Sequence, residues 1–167
     1  GYMSDAVKLT NCQVLHEEGF YGEGMRICVI DTGYSIHDFT KENILCGKNF
    51  TTEGNVEDYI DLNGHGTHCI GSIVMVAPKC EIVVAKALNR NGGGDMNGII
   101  NAFKYAIEQK CHVISMSLGG TTYSKELHDL VKQANDLGII VCTAAGNEGD
   151  GKSETDEISY PANFEES

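Results

Sequence analysis

Four short apolar runs punctuate the chain, at residues 27–30, 82–88, 113–116 and 139–143. They are rich in β-branched side chains and nearly continuous rather than alternating, which is how strands buried on both faces of a parallel sheet read. Between them the period changes. After Asp95, the residues Met96, Ile99, Ile100, Phe103, Ala106 and Ile107 keep to one helical face. After Ser124, Leu127, Leu130, Val131, Ala134 and Leu137 do the same, and Gly138 suits the end of that helix. A third helical segment, over residues 67–77, is apolar nearly all round and stops before Pro78, with Gly71, Ser72 and Ala77 small enough for close packing. Strands alternating with helices predict an α/β fold: a parallel β-sheet with helices on both faces and right-handed crossovers. No repeat or low-complexity linker divides the 167 residues, a length that fits one domain with a sizeable core.

This layout says where chemistry should gather. In an open parallel sheet, ligands sit beyond the carboxyl ends of the strands, where the following helices begin. Asp31-Thr32-Gly33 follows the first run, and residues 89–94 follow the second. The third run leads into Ser117-Leu118-Gly119-Gly120, and the fourth into Ala144-Ala145-Gly146-Asn147-Glu148-Gly149. His65, between Gly64 and Gly66, opens a helix and so shares that rim. A carboxylate at a strand end and a histidine at a helix start form the orienting half of a nucleophilic site. The histidine takes a proton near neutral pH, and the aspartate holds its tautomer. Gly64 and Gly66 would leave room for a substrate against the ring. Asn147 offers an amide to a developing oxyanion, and the Ser117–Gly120 stretch offers main-chain groups to an extended peptide.

Other readings of the same residues fare worse. Asp-Thr-Gly also marks pepsin-like aspartic proteases, but these need two copies in an all-β setting. His65, His68 and Cys69 have metal-ligating side chains at helical spacing, yet no second ligand cluster completes a site, so no metal is expected there. Gly92-Gly93-Gly94 lacks both G-x-G-x-x-G spacing and a Walker lysine, which leaves a nucleotide-binding α/β domain with only the fold in its favour. The net charge of -12 argues against nucleic acid or an anionic membrane as a partner. Seven cysteines scattered singly read as reduced thiols, which favours the cytoplasm, with secretion after loss of an upstream segment as the alternative. Cys28 and Cys142, inside apolar runs, read as small buried hydrophobes.

Taken together, the motifs resemble those of the subtilisin-like serine proteases, the subtilases. "VIDTG" at residues 29–33 is similar to the family's aspartate motif, "NGHGTHCIG" at 63–71 to its histidine motif, and "VISMSLGG" at 113–120 to its substrate-pairing strand. "AAGNEG" at 144–149 and "YPA" at 160–162 are similar to its pocket walls, and smaller echoes stand at 36–39, 47–50 and 76–88. The resemblance implies Asp31 as triad acid, His65 as base and Asn147 as oxyanion donor. It implies Ser117, Leu118, Gly119, Gly120, Ala144, Ala145, Gly146 and Ser159 as substrate-binding residues, a peptide or protein substrate, and a Tyr160–Pro161 bond that could be cis. Cys69 resembles the proteinase K branch, whose free thiol lies beneath the catalytic histidine.

The same resemblance sets further expectations. Residues 71–78 are too few for the calcium loop that secreted bacterial subtilisins insert there, so no cofactor is expected at that place, with calcium elsewhere left open. The family's nucleophile stands in a later Gly-Thr-Ser-Met-Ala-type motif. None of the serines at 4, 35, 72, 115, 117, 124, 153, 159 and 167 has that context. Residues 1–167 therefore read as the N-terminal part of one catalytic domain, incomplete at its C-terminus and inactive alone. A C-terminal fragment or partner chain is expected to cover an unpaired sheet edge. The alternative function is a peptide-binding pseudoenzyme that keeps the groove and has lost catalysis.

Overall fold

A computed structural model describes residues 23–117 and 124–143. Its elements run β1 (Arg26–Asp31), β2 (Ile44–Asn49), α1 (His65–Val76), β3 (Glu81–Lys86), α2 (Met96–Glu108), β4 (Val113–Met116), α3 (Lys125–Asp136) and β5 (Ile140–Thr143). The strands form one sheet in the order β2-β3-β1-β4-β5, and every pairing is parallel. This is the α/β architecture predicted, with β1 in the middle.

The continuous apolar strands serve two cores at once. On β1, Ile27 and Val29 face α1, where they join Ile70, Val74, Ile82 and Val84. Cys28 and Ile30 face the other way, toward Phe103, Leu127 and Val131 of α2 and α3. Side chains such as Phe103 and Leu127 are fully enclosed, and each buried side chain of this size is worth about 1.5–3 kcal/mol relative to exposure. Helices thus cover both faces, and along Ile27–Ile30 of the central strand each residue is apolar whichever way it points.

Three details depart from the sequence reading. β2 carries no continuous apolar signal, because it is an edge strand in which only Asn49 is fully buried. The run at 82–88 ends as a strand at Lys86, and the next two amides both turn back onto the Asp31 carbonyl, at 2.9 and 3.0 Å. Cys142 is buried as expected but is disulfide-bonded rather than a simple apolar thiol, while Cys28, Cys46, Cys69, Cys80 and Cys111 are free. Among the described residues no helix is long and apolar enough to cross a membrane.

Helix starts explain how the rim is organised. Asp95 and Ser124 cap α2 and α3 by accepting from the amides of Gly98 and Leu127. At the start of α1 the cap position is Gly64, with φ 107° and no side chain to offer.

Candidate active site

β1 delivers Asp31 to the carboxyl end of the central strand, with only 1% of its surface exposed. The carboxylate is fully engaged. Oδ1 accepts from the Thr32 amide at 2.7 Å, Oδ2 accepts from Ser117 Oγ at 2.7 Å, and His65 Nδ1 lies 3.0 Å from both oxygens. Donors on every side make burial of this charge tolerable.

His65 is the first residue of α1, and its amide donates to Asn63 Oδ1 at 3.0 Å. Its side chain is 51% exposed, so with Nδ1 committed to Asp31 the accessible half of the ring is the Nε2 side. The Asp31 carboxylate, helped by Cys69 and opposed by burial, pushes the imidazole pKa up to about 11. The pair is therefore built to stabilise an imidazolium. Cys69, one turn along the helix, places Sγ 3.7 Å from Nδ1 and 4.0 Å from Nε2. Burial, only partly countered by His65, raises its thiol pKa further. It thus remains a neutral thiol rather than a thiolate nucleophile.

Asp31, His65 and Cys69 together offer O, N and S atoms within 4.8 Å of one another, a donor set suited to a borderline or soft cation. His68, considered with them from sequence, is not part of this cluster; it lines a neighbouring open groove of about 480 Å³ that also carries Phe39 and Met75. A second concavity of about 350 Å³ lies at the opposite, amino-terminal end of β2 and β3, away from Asp31.

The glycines flanking His65 each have a structural reason of their own. A Cβ on Gly66 would collide with the Gly33 carbonyl oxygen and lie 2.9 Å from the Gly33 nitrogen and 3.0 Å from Thr32 Oγ1. Gly66 therefore lets α1 dock onto the Asp-Thr-Gly turn. Gly64 has open space around it, and its positive φ is what favours glycine.

Two supporting residues escaped the sequence reading. Asp61 is 7% exposed, and its carboxylate accepts five hydrogen bonds. Oδ1 takes Thr32 Oγ1 at 2.8 Å and the amides of Asn63 and Gly64 at 2.9 and 2.8 Å, while Oδ2 takes the Thr67 amide at 2.9 Å and Thr67 Oγ1 at 2.6 Å. Burial would raise its pKa, but the donors from Gly64, Thr67 and Asn63 outweigh it and hold the carboxyl at about 2. The available signal was a helix opening on glycine, whose first amides need an acceptor from elsewhere. Lys86, fully buried opposite Asp31 in the β1–β3 register, donates to the Thr32 carbonyl at 2.9 Å and pairs with Glu53 at 3.0 Å.

Of the residues expected to bind substrate, Ser117 is described, and its hydroxyl is turned onto Asp31. Leu118, Gly119, Gly120, Ala144, Ala145, Gly146, Asn147 and Ser159, with the Tyr160–Pro161 bond, lie outside the described residues.

A family model described as the subtilase family matches residues 22–167. Among curated proteins, the intracellular serine protease of Paenibacillus polymyxa is 45% identical over 157 residues, covering 87% of this chain and 48% of that protein. The major intracellular serine protease of Bacillus subtilis is 41% identical over 177 aligned positions, covering 98% of this chain and 56% of that protein. Subtilisin E of Bacillus subtilis is 36% identical over 159 residues, covering 90% and 41%. The chain spans about half the length of the first two.

Proposed function

The chain belongs to the subtilase family, and from that premise we propose that Asp31 and His65 are the acid and base of a serine endopeptidase that hydrolyses peptide bonds. The observation that carries this reading is the placement of His65 Nδ1 at 3.0 Å from both oxygens of a buried carboxylate, with the ring half exposed. In that arrangement Asp31 keeps the proton on Nδ1. In the neutral ring Nε2 takes the serine proton during attack and returns it to the leaving amine. These roles are carried over from subtilisin, itself one of the type cases of this triad. Asn147 would donate to the oxyanion, and the 117–120 and 144–146 stretches with Ser159 would hold an extended peptide. The chemical steps call for no cofactor.

In this reading the nucleophile stands in a Gly-Thr-Ser setting and is none of the serines seen here. Ser117 donates to Asp31, Ser35 to the Asp61 carbonyl and Ser72 to the His68 carbonyl. These 167 residues are then inactive by themselves, and a companion segment or chain covers the β5 edge. A cytoplasmic setting is supported by the two relatives named as intracellular.

Hydrolysis of a peptide library by the intact protein tests the reading. His65→Ala should lower kcat by about 10⁴-fold or more, and Asp31→Asn by a similar factor. A protein that binds peptides, cleaves none and is indifferent to both changes would instead be a peptide-binding module.

A further inference from the structure

We infer that Asp61 is a positioning residue: its buried carboxylate, clamped between Thr32 Oγ1 and the amides that open α1, sets β1 and α1 at the separation that seats His65 on Asp31. The inference rests on reading Asp31 and His65 as a working pair, and concerns how that pair is held.

Asp31 and His65 are 34 residues apart in sequence and sit on different elements. A contact of 3.0 Å to both carboxylate oxygens requires those elements to be located within a fraction of an ångström. Thr32, the residue after Asp31, provides a direct link to α1, because its Oγ1 accepts from the Gly66 amide at 2.8 Å. A hydroxyl has one proton to give. By taking that proton at 2.8 Å, Asp61 fixes the rotor so that a lone pair of Thr32 faces Gly66. The same carboxylate takes the Gly64 and Thr67 amides, first-turn groups that a glycine cap leaves without an acceptor. Thr67 Oγ1 donates to Asp61 as well, and in turn accepts from the Ser35 amide at 3.0 Å, tying in the chain beyond the Asp-Thr-Gly turn. One carboxylate therefore grips the residue next to the acid and the turn that carries the base.

Its charge matters to this task. All five partners of the Asp61 carboxylate, three main-chain amides and two hydroxyls, are donors. An amide in its place would turn an NH₂ group onto two or three of them. A negative charge also suits the amino end of a helix. Asp61 bonds neither Asp31 nor the His65 ring, so it acts through geometry and not through contact with reacting atoms.

The test follows the His65 ring by NMR titration in wild type and in Thr32→Val, Thr32→Ser and Asp61→Asn. Asp61→Asn both loosens the clamp and removes a charge, so Thr32→Val, which is neutral for neutral, decides. The titratable groups against the ring, Asp31 and Cys69, are untouched by it. Thr32→Val is expected to lower the His65 midpoint by about one pH unit or more, the size of one weakened charge-assisted hydrogen bond. Thr32→Ser should retain the wild-type midpoint. In the intact protein Thr32→Val should cut kcat about tenfold with KM unchanged. A folded Thr32→Val protein with wild-type titration and wild-type kcat would reduce Asp61 to an ordinary helix cap and overturn the inference. Should Thr32→Val fail to fold, Thr67→Val, which removes a donor from the helix side of the clamp, is read against the same two outcomes. A His65 midpoint that responds to Thr32→Val in a protein without peptidase activity would overturn the proposed function and leave the positioning role standing.

Discussion

His65 must keep a proton on Nδ1 and present Nε2; the buried Asp31 carboxylate engages the Nδ1 side, and it favours the imidazolium that forms once Nε2 has taken a proton. Asp31→Asn is therefore expected to bring the His65 midpoint down from about 11 toward the ordinary histidine value near 6.5, read from the same ring titration. A histidine whose folded pKa is raised contributes stability that is fully present below about 6.5 and is lost as pH rises through its folded value near 11. Half the side chain is exposed, so solvent screening reduces the effect. Asp61 behaves oppositely: its lowered pKa contributes stability above about 4 that is lost as pH falls toward 2. Denaturation midpoints measured from pH 2 to 6 should fall with acid in wild type and show a flatter dependence in Asp61→Asn.

At the scale of elements, α1 depends on contacts that its own sequence does not advertise. Gly66→Ala pushes a methyl group into the Gly33 backbone, which cannot rotate away as a side chain would. The expected loss is about 1–3 kcal/mol of stability, accompanied by a fall in activity because α1 moves off the Asp-Thr-Gly turn. Gly64→Ala meets open space and is charged only for its positive φ, about 1–2 kcal/mol, by denaturant titration. α2 and α3 were plain in sequence because their apolar faces keep a 3.6-residue period, and the structure adds that the residues just before those runs, Asp95 and Ser124, are their side-chain caps. Ser124→Ala should accordingly cost about 1 kcal/mol. β2 was not legible as a strand, since an edge strand needs little apolar surface and this one includes Gly47 and Lys48.

Across the whole molecule, the rim was legible because parallel-sheet topology carries Asp31, His65 and Ser117 to one edge whatever their separation in sequence. What sequence could not show was the bracing behind that edge. Asp61 and Lys86 look like ordinary charged residues until the fold buries them against Thr32. Lys86 is enclosed completely and answers to Glu53 as well as to the Thr32 carbonyl. Lys86→Ala should therefore lower the melting temperature more than Lys125→Ala, whose ion pair with Asp129 is exposed. The central claim is that Asp31 and His65 serve a serine nucleophile. Its most direct measurement is fluorophosphonate labelling of the intact protein, read by mass spectrometry of its peptides. The expected result is a tag on one serine in a Gly-Thr-Ser setting, absent from Ser117 and every other serine of these 167 residues, and lost in His65→Ala. No labelling of the folded protein, or labelling that persists undiminished in His65→Ala, would contradict it.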